Sequence, residues 1–370
     1  MNKTEANKLF ENLFVLEVAN NHWGDLKRGK KIISEFGKVV RYNNVKAALK
    51  LQFRDVPNFI HKDFQGRGDL RYIWKTEKTQ LKKEEHAILI NAIRKSGCIP
   101  MATAFDERAV EWCVELGIDI IKVASSDIND WFLLQKIART KKPVILSTGG
   151  ASLKSIDDVV KFFGNRNIPI ALNHCVSNYP SEDYELELNQ IDFLKDRYPD
   201  IVIGLSTHEY HDWTSSMMIS YAKGARTWER HVDIEYPDGD ERSVSKYCSL
   251  PHQADEWFKA FHKSREMCGG TQNSRRIIAE KETKYLDALV RGVYFKKDLP
   301  EGHVITTDDV YLAIPLQEGQ ISPREFMEGE VLLKACKTDE AMLLDDINSD
   351  YKKDTGTKNR LSRRGLRRVK

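Results

Sequence analysis

A glutamate and a histidine stand two residues apart, as Glu229 and His231, in the segment ARTWERHV (225–232), whose pattern predicts a β-strand. Successive side chains of a strand alternate between its two faces, so these two residues share one face. A carboxylate can orient a water molecule or a sugar hydroxyl, and a neutral imidazole can bind a divalent metal ion. The pair therefore predicts an active-site wall rather than a solvated edge.

Seven earlier β-like segments also carry polar or ionisable side chains in their C-terminal halves. In chain order these are Glu17, Asn20, Lys50, Gln52, Thr103, Lys122, Ser125, Ser147, Thr148, His174, Ser206 and His208. A single polar strand end more often caps the next helix, but capping does not account for all eight. Lysines and hydroxyls suit a ligand with a phosphate and a carboxylate, because both groups need positive charge and several donors. His208 and His231 can bind one divalent ion whose shell is completed by substrate oxygens.

These residues require a scaffold that gathers eight strand ends. Helix-like stretches with apolar residues at i, i+3 and i+4, such as ERAVEWCVEL (107–116), lie between most of the segments. Strands that alternate with helices predict a parallel sheet, and eight such units in about 250 residues predict an α/β fold of the closed (β/α)8 TIM-barrel type. In that fold the C-terminal strand ends form the active-site face. The long connection from Arg54 to about Leu81 predicts an insertion over the barrel mouth.

Length and composition indicate a globular protein with one large and one small domain: 370 residues, 41% hydrophobic and 31% charged. No apolar run approaches the ~20 residues that span a bilayer. The N-terminal residues lack the apolar core of a signal peptide, so we expect a cytoplasmic protein without a membrane partner. Six scattered cysteines without C-x-x-C spacing argue against a structural zinc site or a disulfide framework. The last seventeen residues hold seven Lys or Arg against one Asp, which predicts a solvated tail rather than a nucleic-acid-binding segment.

The chain resembles the sialic acid synthases in eight motifs that occur in family order. These are LEVANNHWGDL, LKLQF, MATAFDERAVEW, IIKVASSD, VILSTGGAS, NHCVSNYP, GLSTHE and ERHVDIE. The later segment RGVYFKKDLPEGHVITTDDV resembles the SAF (antifreeze-like, β-clip) domain that ends those enzymes. We therefore expect a TIM-barrel catalytic domain over 1–268, a linker over 269–287, a small β-rich SAF domain over 288–348 and a basic, disordered tail over 349–370.

The resemblance implies a reaction and a set of roles. The reaction is condensation of phosphoenolpyruvate with an N-acetylmannosamine-like aldose to a nine-carbon 3-deoxy-2-keto acid, with release of phosphate. His208 and His231 would hold Mn²⁺ or Mg²⁺. The enzyme would be a domain-swapped homodimer, in which Arg291 reaches the active site of the other subunit. Catalytic roles are implied for Glu17, Asp127 and Glu229, and substrate-binding roles for Lys50, Gln52, Thr103, Lys122, Ser125, Ser147, Ser177, Tyr179, Ser206 and Arg291.

Three positions depart from the family pattern, and all three concern the sugar side. Ser245 stands where a sugar-binding aspartate is usual, Asp127 where a glutamate is common, and Ser177 where an asparagine often sits. We therefore expect an aldose other than plain N-acetylmannosamine, and Arg242 or Lys246 would suit an acidic or phosphorylated one. Two alternatives stay open: a metal-dependent aldolase or related 3-deoxy-keto-acid synthase acting on another aldose, and a non-catalytic protein that binds sugar acids.

Overall fold

Eight parallel strands close into a barrel in the first part of the chain. In this computed structural model, which describes residues 3–270, 275–287 and 289–367, the strands are β1 (Leu13–Ala19), β2 (Lys46–Phe53), β3 (Ile99–Ala104), β4 (Ile120–Val123), β5 (Val144–Ser147), β6 (Ile170–Cys175), β7 (Val202–Thr207) and β8 (Thr227–Val232). Each strand pairs with the next, and β1 pairs with β8. The predicted barrel and all eight predicted strands are confirmed.

Helices surround the barrel and connect its strands. They are α1 (Lys3–Phe10), α2 (Leu26–Asn43), α3 (Val56–Phe59), α4 (Arg71–Lys78), α5 (Lys83–Lys95), α6 (Glu107–Glu115), α7 (Trp131–Arg139), α8 (Leu153–Gly164), α9 (Gln190–Arg197), α10 (Trp213–Lys223) and α11 (Pro251–Cys268). The predicted insertion after β2 contains α3 and α4. A two-residue strand, β9 (Cys248–Ser249), pairs with the end of β8.

The sequence of α2 shows how a helix is fixed against the barrel. The Asp25 side chain caps its first turn by accepting from the Lys27 amide, and the helix ends at Asn44 in the left-handed region. Its buried face includes Ile32, Ile33, Phe36 and Val40, which pack into the core between strands and helices. Burial of such an apolar stripe stabilises a helix more than its intrinsic propensity does.

The inside of the barrel is apolar at one end and polar at the other. Leu13, Val15, Met101, Ile120 and Ile145 form a buried interior layer with Phe10 of α1, toward the N-terminal strand ends. Further along the same strands the inward positions are polar, so the C-terminal ends surround a cavity. The apolar layer supplies rigidity, and the polar layer has the position that this fold uses for active sites.

The chain divides into two compact units, Met1–Gly269 and Gly270–Lys370, and the first ends within one residue of the predicted barrel boundary. The predicted linker, 269–287, contains a helix, α12 (Glu280–Asp287), while 271–274 lie outside the described residues. Antiparallel strands β10 (Gly292–Phe295) and β11 (Val310–Ala313), with several isolated bridges, surround a separate core in the second unit. Its identity as an SAF domain stays a prediction.

The expectation of a disordered tail over 349–370 is wrong for the described part of that segment. It forms a 3₁₀ turn followed by α13 (Thr355–Leu361), and Leu361 is buried in the core of the second unit. Arg364 donates to the buried Glu325 carboxylate at 3.0 Å, and Leu366 forms a bridge with Gln317. The prediction from net charge was wrong because the buried Leu361 side chain and the Glu325 carboxylate hold this basic segment in place. The predicted tail's last three residues, 368–370, lie outside the described residues.

Membrane insertion of a helix has no support in the described ranges. None of their helices combines the length and the apolar character needed to cross a bilayer.

Candidate active site

Four charged side chains form the floor of the barrel cavity, namely Glu17 on β1, Lys50 on β2, Lys122 on β4 and Glu229 on β8. All four are buried. Lys50 contacts the Glu17 carboxylate and lies 3.4 Å from Glu229 Oε1, while Lys122 Nζ donates to Glu229 Oε2 at 2.9 Å. Lys50 also donates to Thr103 Oγ1 at 2.8 Å. Each buried ammonium therefore has a carboxylate partner, which offsets the large desolvation penalty of an unpaired charge.

The two floor carboxylates have different protonation behaviour. Burial raises the pKa of Glu17, and the neighbouring Lys50 offsets this only in part. Burial acts in the same direction on Glu229, but Lys122 and Lys50 outweigh it and lower the pKa of that carboxyl to about 2. Environments that separate the pKa values of paired groups are typical of acid–base catalysis. Glu229 is therefore a permanent anion that holds the lysines, and Glu17 is the group suited to exchanging a proton.

Hydroxyl groups gather on the opposite side of the cavity, at the ends of β4 to β6. The Ser147 hydroxyl is buried and has no hydrogen-bond partner among the described residues. Ser125 Oγ accepts from the Gly149 amide at 3.1 Å. A Cβ atom at Gly149 would lie 2.1 Å from Ser177 Oγ and 2.7 Å from Ser125 Oγ, so only glycine permits this close approach. Several donors around an unsatisfied buried hydroxyl suit the oxygens of an anionic ligand.

Two neutral histidines and two tyrosines form the third part of the cavity. The rings of His208 and His231 are 5.5 Å apart, and those of Tyr179 and Tyr247 lie 3.9 Å from His208 and 5.2 Å from His231, respectively. His208 Nδ1 lies 2.9 Å from the Val176 carbonyl oxygen, which assigns the ring proton to Nδ1 and leaves the Nε2 lone pair available. Burial lowers the pKa of His208 to about 4 and that of His231 well below its usual range. Both rings are therefore in the form that ligates metal ions.

A complete protein shell for a metal ion is not found in the described ranges, because no group of three or more His, Cys, Asp or Glu side chains is suitably arranged there. The paired histidines could still supply two ligands. Water or substrate oxygens would then have to provide the others, as anticipated from the sequence.

Most of the predicted site residues line one cavity of about 740 Å³. They are Glu17, Lys50, Gln52, Thr103, Lys122, Ser125, Ser147, Ser177, Tyr179, Ser206, His208, Glu229 and His231. Asp127 is not among the lining residues. It belongs to the 3₁₀ turn after β4, where its carboxylate accepts from Ser126 Oγ at 2.8 Å. Arg291 belongs to the second unit, in which its side chain is exposed.

The departures after β8 do not act as the sequence suggested. Tyr247, rather than Ser245, lines the cavity, and Ser245 hydrogen-bonds to the Tyr247 side chain. Arg242 is paired with Asp240 at 2.6 Å, and Lys246 lies over the Tyr210 ring, so neither cation lines the cavity. The expectation that Arg242 or Lys246 serves the aldose has no support from the cavity lining and stays a prediction.

Sequence reasoning missed the cations that the insertion contributes. Arg54, Arg71 and Lys75 line the cavity, together with Tyr72 and Thr76. Arg54 lies 3.6 Å above the Phe105 ring and donates to Gln52 Oε1 at 2.9 Å. Five cationic side chains and two carboxylates thus line the cavity, an excess of three positive charges. The available signal was the run of basic residues within a segment already predicted to lie over the barrel mouth.

Comparison with known proteins assigns the chain to a family. The NeuB family model matches residues 45–272. N-acetylneuraminate-9-phosphate synthase of Drosophila melanogaster is 30% identical over 265 residues, 68% of either chain. N,N'-diacetyllegionaminic acid synthase of Campylobacter jejuni is 26% identical over 89% of this chain and 98% of its own length. The crystal structure of spore coat polysaccharide biosynthesis protein E from Chromobacterium violaceum superposes with a TM-score of 0.85 at 33% identity, covering 91% of this chain and 100% of that one.

The family match covers more than half of the chain, and it agrees with a barrel whose charged floor, hydroxyl cluster and histidine pair face one cavity. The chain is an enzyme that forms carbon–carbon bonds, and it belongs to the NeuB family, the family of the sialic acid synthases.

Proposed function

We propose that this nonulosonic acid synthase condenses phosphoenolpyruvate with an N-acetylmannosamine-like aldose and releases phosphate. The observation that carries the proposal is the pair of buried lysines, Lys50 and Lys122, in a cavity that also offers serine hydroxyls. Phosphoenolpyruvate presents a phosphate and a carboxylate, and both groups require cations and multiple donors. The names of the relatives, which include sialic and legionaminic acid synthases, support the same class of product.

Phosphoenolpyruvate would bind between the charged floor and the hydroxyl cluster. The unsatisfied Ser147 hydroxyl, Ser125 and Ser206 would donate to its phosphate oxygens. Lys50 and Lys122 are held in place by the floor carboxylates and would stabilise the charge of the anion. Because this constellation exists before the ligand arrives, little reorganisation accompanies binding.

In the proposed reaction C3 of phosphoenolpyruvate attacks the aldehyde carbon of the open-chain aldose. The former carbonyl oxygen then takes up a proton. Water adds at C2 and gives up a proton, and phosphate leaves from the resulting tetrahedral carbon. Glu17 would accept the proton of that water, a role consistent with a carboxyl whose pKa is raised by burial.

A divalent ion, Mn²⁺ or Mg²⁺, would supply Lewis-acid polarisation of the aldehyde oxygen when bound. The neutral rings of His208 and His231 would hold it, and Nε2 would be the ligating nitrogen of His208. Tyr179 and Tyr247 pack beside these rings and would orient the sugar hydroxyls next to the reacting carbon.

The domain-swapped homodimer belongs to the same proposal, with the SAF-like second unit completing the active site of the other subunit. Arg291, which is exposed in its own unit, would contact substrate there. Mixing the inactive variants Glu17→Gln and Arg291→Ala tests this arrangement, since one type of mixed active site would contain neither substitution. Recovery of activity on mixing would support the swap, and no recovery from dimers shown to exchange subunits would oppose it.

Phosphate release that requires both substrates tests the proposed function. The protein would be incubated with Mn²⁺ and phosphoenolpyruvate, with and without an aldose. A parallel incubation with pyruvate in place of phosphoenolpyruvate would measure aldol addition. Lys122→Met should abolish release, whereas Lys154→Met, which removes an exposed lysine of α8, should not. Aldol addition of pyruvate without consumption of phosphoenolpyruvate would favour the aldolase alternative.

A further inference from the structure

Helix α4 brings two cations to the cavity mouth. Arg71 and Lys75 both line the cavity, and neither makes a side-chain ion pair with any residue that the structure describes. The cations on the floor differ from them, because Lys50 and Lys122 are each held by a glutamate. Arg71 is exposed and Lys75 is half-buried. A cation that lines a ligand cavity and has no carboxylate partner is suited to an anionic ligand group.

The position of α4 is fixed by aromatic contacts with the barrel. Trp74 packs edge-on against Trp23, in the loop after β1, with ring centroids 6.1 Å apart. The Lys75 ammonium lies 5.6 Å from the Trp23 ring centroid. Burial raises the pKa of the Tyr247 phenol, and the nearby charge of Arg71 opposes that shift. Both cations are therefore beside the ends of β1 and β8.

This location is across the barrel from the hydroxyl cluster. Ser125 and Ser147 stand at the ends of β4 and β5, which are opposite β8 and β1 in an eight-stranded ring ordered β1 to β8. One cavity thus contains two separated sets of groups that suit anions. A single phosphoenolpyruvate would occupy the side with the serines, which leaves the α4 cations for a different anionic group.

We propose that Arg71 and Lys75 form an anion subsite for the second substrate, so that the natural aldose carries a phosphate ester or a carboxylate remote from its aldehyde carbon. The inference rests on the proposed function, and it names the class of the aldose. Tyr247, which lines the cavity between the histidines and Arg71, would contact the carbon chain between the two ends of the sugar.

Three aldoses with the same N-acetylmannosamine skeleton test the subsite at saturating phosphoenolpyruvate and Mn²⁺. They are N-acetylmannosamine, its 6-phosphate and the corresponding 6-carboxylate, N-acetylmannosaminuronic acid. At least one anionic sugar should exceed the neutral one in kcat/KM by about tenfold or more, the value of one charge-assisted contact. The two anionic arms distinguish a phosphate from a carboxylate.

Variants of α4 locate the effect. Arg71→Gln and Lys75→Met should each lower kcat/KM for the preferred anionic sugar by about ten- to a hundredfold, with little change for N-acetylmannosamine or in the KM of phosphoenolpyruvate. Arg71→Lys should restore part of the loss. Lys78→Met removes an exposed cation of the same helix that does not line the cavity, and it should have no effect.

Two results would overturn the inference while leaving the proposed function intact. One is a neutral sugar that performs as well as both anionic sugars. The other is an equal loss for all three sugars, or a raised KM for phosphoenolpyruvate, in the Arg71 and Lys75 variants. Absence of phosphate release with every sugar would instead refute the proposed function, and the inference would fall with it.

Discussion

Replacing Glu229 by glutamine should destabilise the barrel in the absence of ligand. Its carboxylate lies 2.9 Å from Lys122 Nζ and 3.4 Å from Lys50 Nζ, and all three groups are buried. Removing one partner of a buried ion pair costs about 3–5 kcal/mol, because the other charge is left without compensation. Glutamine keeps the shape of the side chain and an oxygen that accepts hydrogen bonds, and Lys50 still has Glu17 as an ion-pair partner. We therefore expect the free energy of unfolding to fall by roughly 3 kcal/mol, the lower end of that range.

Thermal unfolding measures this loss directly. In a domain of this size 1 kcal/mol shifts the Tm by about 2–4 °C, so the Glu229→Gln variant should unfold roughly 6–12 °C below the wild type. Saturating phosphoenolpyruvate should raise the Tm of the variant more than that of the wild type, because the bound anion supplies the missing negative charge.

Two further variants control the interpretation. Glu35→Gln removes the partner of Lys38 in an exposed pair on α2 and should shift the free energy of unfolding by at most about 1 kcal/mol. The double variant Lys122→Met/Glu229→Gln removes both charges and should recover much of the lost stability. A Glu229→Gln protein that unfolds within 2 °C of the wild type would refute the reasoning that the floor carboxylates stabilise the lysines.

Four other changes give separate tests. Gly149→Ala should raise the KM of phosphoenolpyruvate by about tenfold, because its Cβ would displace the Ser125 hydroxyl, whereas an unchanged KM would remove this hydroxyl from the phosphate site. Glu17→Gln should lower kcat by about 10²–10⁴-fold with little change in KM, as measured by steady-state kinetics. A larger effect on KM than on kcat would give Glu17 a role in substrate binding instead. EDTA should abolish turnover and Mn²⁺ should restore it, and full activity of a metal-free preparation would contradict the metal role of the histidines. Leu361→Ala should destabilise the second unit by about 2–5 kcal/mol in denaturant unfolding. An unchanged unfolding midpoint would instead support the expectation that the C-terminal segment is disordered.

The barrel was predictable because its signals are local and repeated. Each strand is a short apolar run, each connection contains a helical period, and polar residues recur at the same end of every strand. From the sequence, Glu17, Lys50 and Glu229 could be recognised as polar residues in the C-terminal halves of their strands, toward the active-site end of the barrel. Their mutual ion pairs could not, because these depend on which strands become neighbours when the sheet closes and β1 meets β8.

The parts that sequence reasoning missed depend on tertiary contacts. Arg71 and Lys75 belong to an insertion without strand periodicity, and only the packing of Trp74 on Trp23 directs them to the cavity. Counting residues from the family pattern directed attention to Ser245, although the chain turns so that Tyr247 lines the cavity. The basic C-terminal segment similarly depends on Leu361 reaching a core that no local pattern reveals.

The central claim is that the cavity joins phosphoenolpyruvate to an aldose. Phosphoenolpyruvate labelled with ¹³C at all three carbons, incubated with the protein, Mn²⁺ and the three N-acetylmannosamine-type sugars, tests it by mass spectrometry and phosphate analysis. The proposed function predicts a 3-deoxy-2-keto acid that contains all three labelled carbons, formed in equal amount to the phosphate released. Labelled pyruvate as the only organic product, or phosphoenolpyruvate that remains unconsumed with every sugar, would contradict it.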